Sequence, residues 1–443
     1  MSASSPVPDG GWGWAVVVGC FTSSFVVASL PRSFGVVIIE LMDKFQAPSA
    51  KIAGVLSTSQ FCRYIFAPLS GVFVHRFGVR RTVFAGGILT AAGCVFASLS
   101  TSLFGLYAFY GALTGLGHCL IYTPSQVIIG VYFENRRAIA TALTGLGASL
   151  SGFIIPPLLR WLFAELRVSG CLLIVGGISL HVCAGAMTMR PLMGKKDPDS
   201  KAAEAFINEN EENVAQAKKE TAEEVVETKC WKKFINWLGL DFTLLAQPTF
   251  LATIAGHALT NPAAVSSWAF IPLMAISKGV DDNRAALLLS VHALSDLIGG
   301  RLISSIFLDA SCIRSRRYLL SPFVNLMFCV VMTGLYLSSS PIECFVWTSF
   351  YGIFHGMYVS LRNLVLQDLF GRSKLASLFS FQNCMIGIGM LTMPVILGVI
   401  TDVSEIDYAL IFLLVVFFLA AVLFGGVSLT VWVGRKKKNC VVT

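Results

Sequence analysis

A chain of 443 residues with 55% hydrophobic and only 13% charged side chains, at a mean hydropathy of +0.73, is too apolar for a water-soluble protein. Soluble domains carry about 25% charged residues, so the balance predicts a polytopic membrane protein. The net charge of +8 is dispersed between apolar segments, which argues for basic loops and against a nucleic-acid partner.

The N-terminal block Asp9, Gly10, Gly11, Trp12, Gly13, Trp14 runs directly into an apolar segment. Tryptophans at such an entry suit the membrane interface, where they anchor the helix. No basic n-region or small-residue cleavage site precedes the segment, so this first span is expected to be retained. Within it lies Arg32, a charge placed where charge is costly.

About 20 apolar residues cross a bilayer core, and the chain offers twelve such segments. Their approximate limits are 13–39, 51–74, 82–99, 105–129, 138–164, 170–188, 249–276, 284–308, 318–338, 343–368, 374–401 and 408–433. One set of loops carries Arg76, Arg80, Arg81, Arg136, Arg137, Arg314, Arg316, Arg317, Arg372 and Lys374, followed by a tail of Arg435 to Lys438. The opposite set has little beyond Lys44, Lys51, Arg167, Lys278 and Arg284, so both termini are expected in the cytosol. Cys20, Cys62, Cys94, Cys119, Cys171, Cys183, Cys329 and Cys384 fall within apolar segments, where cysteine acts as a small hydrophobe, so few or no disulfides are expected.

Polar residues 191–246 interrupt the pattern, with a mixed-charge run from Asp197 to Glu227 that reads as a cytosolic linker. The chain thus divides into a six-helix half (1–190), the linker (191–246), a second six-helix half (247–434) and a basic tail (435–443). Near the linker's end, Trp231, Phe234, Ile235, Trp237 and Leu238 alternate with Lys232 and Lys233, as in a short helix lying on the membrane or the start of the seventh span. The ending Cys440-Val441-Val442-Thr443 has the outline of a prenylation box, although threonine suits that reaction poorly and palmitoylation of Cys440 fits as well.

Glycine followed by basic residues recurs after the second span (Gly71 to Arg81) and after the eighth (Gly300, Arg301, Asp309, Arg314, Arg316, Arg317), as in a duplicated transporter. These loops resemble the cytosolic signature of the major facilitator superfamily, with His75 where that family usually has aspartate. Asp9 to Trp14 followed by Pro31-Arg32-Ser33 is similar to the first-helix signature of the monocarboxylate transporter family. Tyr132-Phe133-Glu134-Asn135-Arg136-Arg137, running through Ala140, Gly145, Gly147, Ser149 and Gly152 to Pro156, is similar to that family's fifth-helix signature. The resemblance implies an all-α membrane protein with twelve transmembrane helices in the major facilitator fold. It further implies transport of a small organic anion at the plasma membrane, and relatives often need a single-span glycoprotein as accessory subunit.

The residues themselves allow a functional reading. Ala140, Thr144, Ala148 and Gly152 recur every four positions, a small-residue stripe for close helix packing. Arg76, Arg80, Arg136 and Arg137 suit either a cytosolic gate or orientation alone. Ionisable groups deep in spans are few: Arg32, Arg63, Asp296, Arg301 and Arg362, with His118, His257, His292 and His355. An arginine excess suits an anionic substrate, and Arg32 can grip both oxygens of a carboxylate.

In the resembled family lysine usually stands at position 32 and takes part in proton handling, which arginine cannot do. Asp296 is therefore expected to carry the proton. The family's partner arginine lies four residues after the aspartate; here Gly299-Gly300 delays it to Arg301, about 140° around a regular helix. An Asp296–Arg301 pair then requires local distortion at the glycines, the alternative being a pair with His292 or another cation. Tyr64, Tyr122, Asn261, Tyr358 and Arg362 are further candidates, and helices one, four, seven and ten line the pathway in the resembled fold.

The expectation is a secondary transporter of a monocarboxylate or related anion, moved by alternating access and accompanied by a proton. Proton-independent movement of larger amino or aromatic acids, and a sensor without flux, are the alternatives. No nucleophile elbow, metal cluster or phosphate loop marks an enzyme, and no cofactor is called for.

Overall fold

The computed structural model describes residues 10–133, 136–190, 242–309, 313, 316–370, 375–404 and 406–442. Glu134, Asn135, the linker with Trp231 to Leu238, Arg314, Arg372 and Lys374 lie outside the described residues, as do Asp9 and the side chains of Arg137 and of the basic tail with Cys440.

Every regular element among the described residues is helical. Helix one is Trp12–Phe45 and helix two is Ser49–Ile65, continued after Phe66 by Ala67–Phe77; helix three is Val79–Leu99. Helix four joins Leu103–Leu106, the π-helical Tyr107–Thr114 and Gly115–Tyr132. Helices five and six share the trace Arg137–Ser179, broken at Arg167 (φ 55°, ψ 178°), and helix six ends with His181–Thr188. Helix seven is Pro248–Ser277. Helix eight joins Asp282–Ser295, the π-helical Asp296–Ile303 and Ser304–Asp309. Helix nine follows the turn Arg317–Leu319 as Leu320–Leu337, helix ten is Pro341–Phe370, helix eleven Leu375–Val403 and helix twelve Ile406–Val442.

Several boundaries differ from the sequence expectation, among them helix twelve, which runs past residue 433 to Val442. Helix one continues past residue 39 to Phe45, where Gln46 caps it in the left-handed region (φ 46°). The expected gap between helices five and six shrinks to the kink at Arg167. Helices two and ten fall short of the apolarity of a simple membrane span. They carry Gln60 and Arg63, and His355, Tyr358 and Arg362, polar groups that a lipid-facing helix could not bear.

Three apolar clusters show how the halves meet. The largest joins residues of both halves, including Leu30, Phe34 and Leu159 with Trp268, Ile271 and Met390. Its N-half members come from the end of the bundle opposite the chain termini. At the terminal end the clusters stay within one half: Val16, Ile128 and Val182 in the first, Phe250, Leu366 and Leu378 in the second.

At the far end Asp402 of helix eleven caps helix two, its two carboxylate oxygens accepting from the backbone N–H groups of Ser49 (2.9 Å) and Ala50 (3.0 Å). An anion at a helix N-terminus meets unpaired donors and the positive end of the helix dipole, so this contact locks the halves together there. The Ser49 hydroxyl adds contacts to Thr401 Oγ1 (2.8 Å) and the Gly398 carbonyl (3.1 Å).

Candidate functional site

Asp296 is fully buried at the start of the π-helical turn. Its Oδ2 accepts from Arg32 Nη2 at 3.0 Å, Arg301 Nε at 3.1 Å and Ser149 Oγ at 2.6 Å, while Oδ1 faces His355 Nδ1 at 3.0 Å. An ionised carboxylate only accepts, so Nδ1 of His355 carries a hydrogen and Nε2 keeps the basic lone pair. Four helices thereby converge on one carboxylate: one, five, eight and ten.

The Asp296–Arg301 pair forms through the distortion that the two glycines permit. A π-helix closes i to i+5 bonds, so residues five apart stand one turn apart, as residues four apart do in an α-helix. Gly300 also brings helix eight against helix ten, since a Cβ there would stand 2.6 Å from Gly356 Cα. On helix five, a Cβ at Gly152 would meet Arg32 Cδ at 2.9 Å, so that glycine leaves the space the arginine occupies. With Ser149 and Gly145, which lies against Arg301, it makes a face of helix five that receives the charged cluster. Of the small-residue stripe, Gly152 is thus part of the site.

Arg32 is 5% exposed and its guanidinium carbon sits 5.0 Å from the Trp268 ring centroid. Its Nη1 is buried without a hydrogen-bond partner. The alternative pairing of Asp296 with His292 is not what forms: the imidazole on the carboxylate is His355. His292 sits in tilted ring contacts with His355 (5.4 Å between ring centroids), Tyr351 (5.3 Å) and Trp268 (6.0 Å), with its Nε2 buried and unpartnered.

A second polar group brings together the five further candidates. Arg362 lies beside Tyr358 on its own helix and beside Tyr64 and Tyr122 of the opposite half. Tyr358 hydroxyl contacts His257 Nδ1 at 3.1 Å and adjoins Asn261, whose Oδ1 is buried and unpartnered. Arg63 stacks on Tyr122 at 4.4 Å, with its Nε unpartnered. Among the described residues neither Arg63 nor Arg362 has a carboxylate partner; their polar contacts run to Gln60 Oε1 (3.5 Å) and Asn363 Oδ1 (3.4 Å).

The basic residues at the terminal end stand apart from both groups. Arg76, Arg80 and Arg136 are exposed there, and Arg80 reaches Met187 Sδ (3.0 Å) within its own half. At the same end Trp12 is held by its indole N–H to the Thr188 carbonyl (2.8 Å) and by Arg190 over its ring (4.1 Å).

Trp268 was not singled out from the sequence, Ser149 entered only as part of the fifth-helix motif, and His355 only as one of several ionisable groups in spans. Only the fold places them on Asp296 and Arg32.

A family model described as "Major Facilitator Superfamily" matches residues 16–321 and again 256–438. "Monocarboxylate transporter 12" of Rattus norvegicus is 28% identical over 440 residues, covering 97% of this chain and 87% of the relative. "Monocarboxylate transporter 13" of Bos taurus is 30% identical over 410 residues (91% and 86%), and "Monocarboxylate transporter 2" of Meriones unguiculatus 30% over 400 residues (88% and 77%). Relatives with these names bear out the expectation of a membrane transporter rather than an enzyme.

Proposed function

The chain belongs to the monocarboxylate transporter family of the major facilitator superfamily, and on that premise we propose that it carries a monocarboxylate or related organic anion together with a proton. The observation that carries this reading is the surplus of buried cations. Arg32, Arg63 and Arg362 stand in the span interior; Arg32 shares Asp296 with Arg301, and among the described residues neither Arg63 nor Arg362 is paired with a carboxylate. Desolvated guanidiniums without acids are costly unless an anion arrives to pair with them.

Arg32 meets that anion through its unpartnered Nη1 while Nη2 remains on Asp296, so one planar fork holds a fixed and a mobile carboxylate together. The substrate is exchanged between two faces of the membrane by rocking of the halves, with both termini in the cytosol of a plasma-membrane protein. Arg76, Arg80 and Arg136 stand exposed at the end where, among the described residues, the halves share no apolar cluster, and contribute to closing that end.

The tyrosines around Arg362 favour a second substrate class, an amino or aromatic acid whose ring packs against Tyr64, Tyr122 and Tyr358 while its carboxylate pairs with Arg362. A radiolabelled panel of lactate, benzoate and phenylalanine, taken up by proteoliposomes at two external pH values, separates these readings. Proton-linked carriage predicts faster uptake with an acid exterior. Arg32→Ala is expected to lower affinity for the preferred acid about tenfold or more, the loss of one charge-assisted bond. Uptake indifferent to pH would remove the proton from the reading, and no uptake of any carboxylate would remove the carrier.

A further inference from the structure

Asp296 is poorly placed to take a proton. Three donors from three helices converge on its Oδ2 and the fourth donor occupies Oδ1. Protonating the carboxyl would turn one of those oxygens into a donor and leave the guanidiniums of Arg32 and Arg301 facing each other without their shared anion. The neighbouring imidazole has the opposite geometry. With Nδ1–H of His355 directed at Asp296, a proton added to Nε2 creates an imidazolium that keeps its bond to the carboxylate and strengthens it.

From this geometry we infer that the proton is carried by the adjoining imidazoles His355 and His292, with Asp296 remaining ionised as their fixed counter-anion. The inference rests on the proton-coupled reading above and names the group that does the coupling. His355 Nε2 takes the proton. His292, 5.4 Å away with its own Nε2 buried and unpartnered, is the adjoining stop on the route.

The charges facing His355 are Asp296, Arg301 and His292 from helix eight and Arg32 from helix one; Tyr351 stands on its own helix and uncharged Trp268 faces it from helix seven. A substrate carboxylate on Arg32 Nη1 adds one negative charge to the site, and a proton on His355 offsets it. Each arrival favours the other, because binding free energies are reciprocal, and the loaded carrier crosses with the same charge as the empty one. Proton uptake comes from water on the entry side and release goes to water on the exit side, with no covalent step.

The test reads protonation directly and does not require flux. The full chain, purified in nanodiscs with 15N-labelled histidine, is titrated from about pH 5 to about pH 8, with infrared difference spectra recorded in parallel and with benzoate as the probe anion. The inference expects an imidazole resonance that titrates, that is absent from His355→Asn, and whose midpoint moves upward with benzoate. Asparagine places an amide N–H where Nδ1–H stood, so Asp296 keeps its donor and the variant keeps its fold. His292→Gln is the second variant, expected to shift that midpoint without abolishing it.

A protonated carboxyl band that appears in this range and is lost in Asp296→Asn would overturn the inference, as would a titration unaltered in His355→Asn. In proteoliposomes the ratio of net acid-driven uptake to carboxylate exchange is expected to fall about tenfold in His355→Asn. A wild-type protein that titrates at His355 but moves no carboxylate would overturn the carrier reading while leaving the imidazole assignment standing.

Discussion

At the scale of single residues the protein turns on one carboxylate that answers two arginines. Asp296→Asn leaves Arg32, 5% exposed, without its counter-anion, and removing one member of a buried pair costs about 3–5 kcal/mol. The expected outcome is a lower thermal midpoint in detergent, partly recovered when Arg32→Gln is added; a midpoint unchanged from wild type would show that the pair holds nothing. Arg32→Lys asks a different question. A single ammonium cannot span Asp296 and the substrate as the fork does, so carboxylate affinity is expected to fall about tenfold. Because only the protonated amine binds an anion, the remaining affinity should decline further as pH rises, which a binding assay across pH reads directly. These charged residues were legible in the sequence because an arginine or aspartate inside an apolar run stands out. His355 stood out in the same way, but its place on Asp296, like that of Ser149, was not legible, since it depends on contacts across 59 and 147 residues of chain.

At the scale of elements, the π-helical turn Asp296–Ile303 is what reconciles a five-residue spacing with an ion pair. The sequence disclosed the conflict between Asp296 and Arg301 and the glycines able to relieve it, but not which geometry wins, because that depends on helix ten. Helix eight closes on helix ten where Gly300 meets Gly356, and a side chain on either one would push the two apart. Gly300→Leu is expected to cost about 1–3 kcal/mol by overpacking and to pull Arg301 from Asp296; a variant that melts and transports as wild type does would sink this account. Helices two and ten illustrate the reverse case. Both were counted as spans from the sequence (51–74 and 343–368) despite their polar residues, and those residues, Arg63, His355, Tyr358 and Arg362, compose the site.

At the scale of the whole molecule, the duplicated arrangement of six and six helices followed from span counting, whereas the way the halves meet did not. Their apolar packing is continuous at the end opposite the termini and divided at the terminal end, so the described conformation is closed on the far side. Asp402 fastens that side by capping the N-terminus of helix two from helix eleven, and alternating access requires this cap to break. Two charge-assisted bonds at a partly exposed helix end are worth about 1–2 kcal/mol over water, which is about a tenfold change in the ratio of closed to open forms. Asp402→Ala should therefore shift the population toward far-side opening without touching the charged cluster. Spin labels on Leu166 and Val403, both exposed at that end, would report it as a longer and broader distance distribution by pulsed electron resonance. A distribution identical to that of the unsubstituted chain would mean that apolar contacts such as Phe34 with Trp268 and Ile271 keep the far side shut unaided, and that the acid caps a helix without latching a gate.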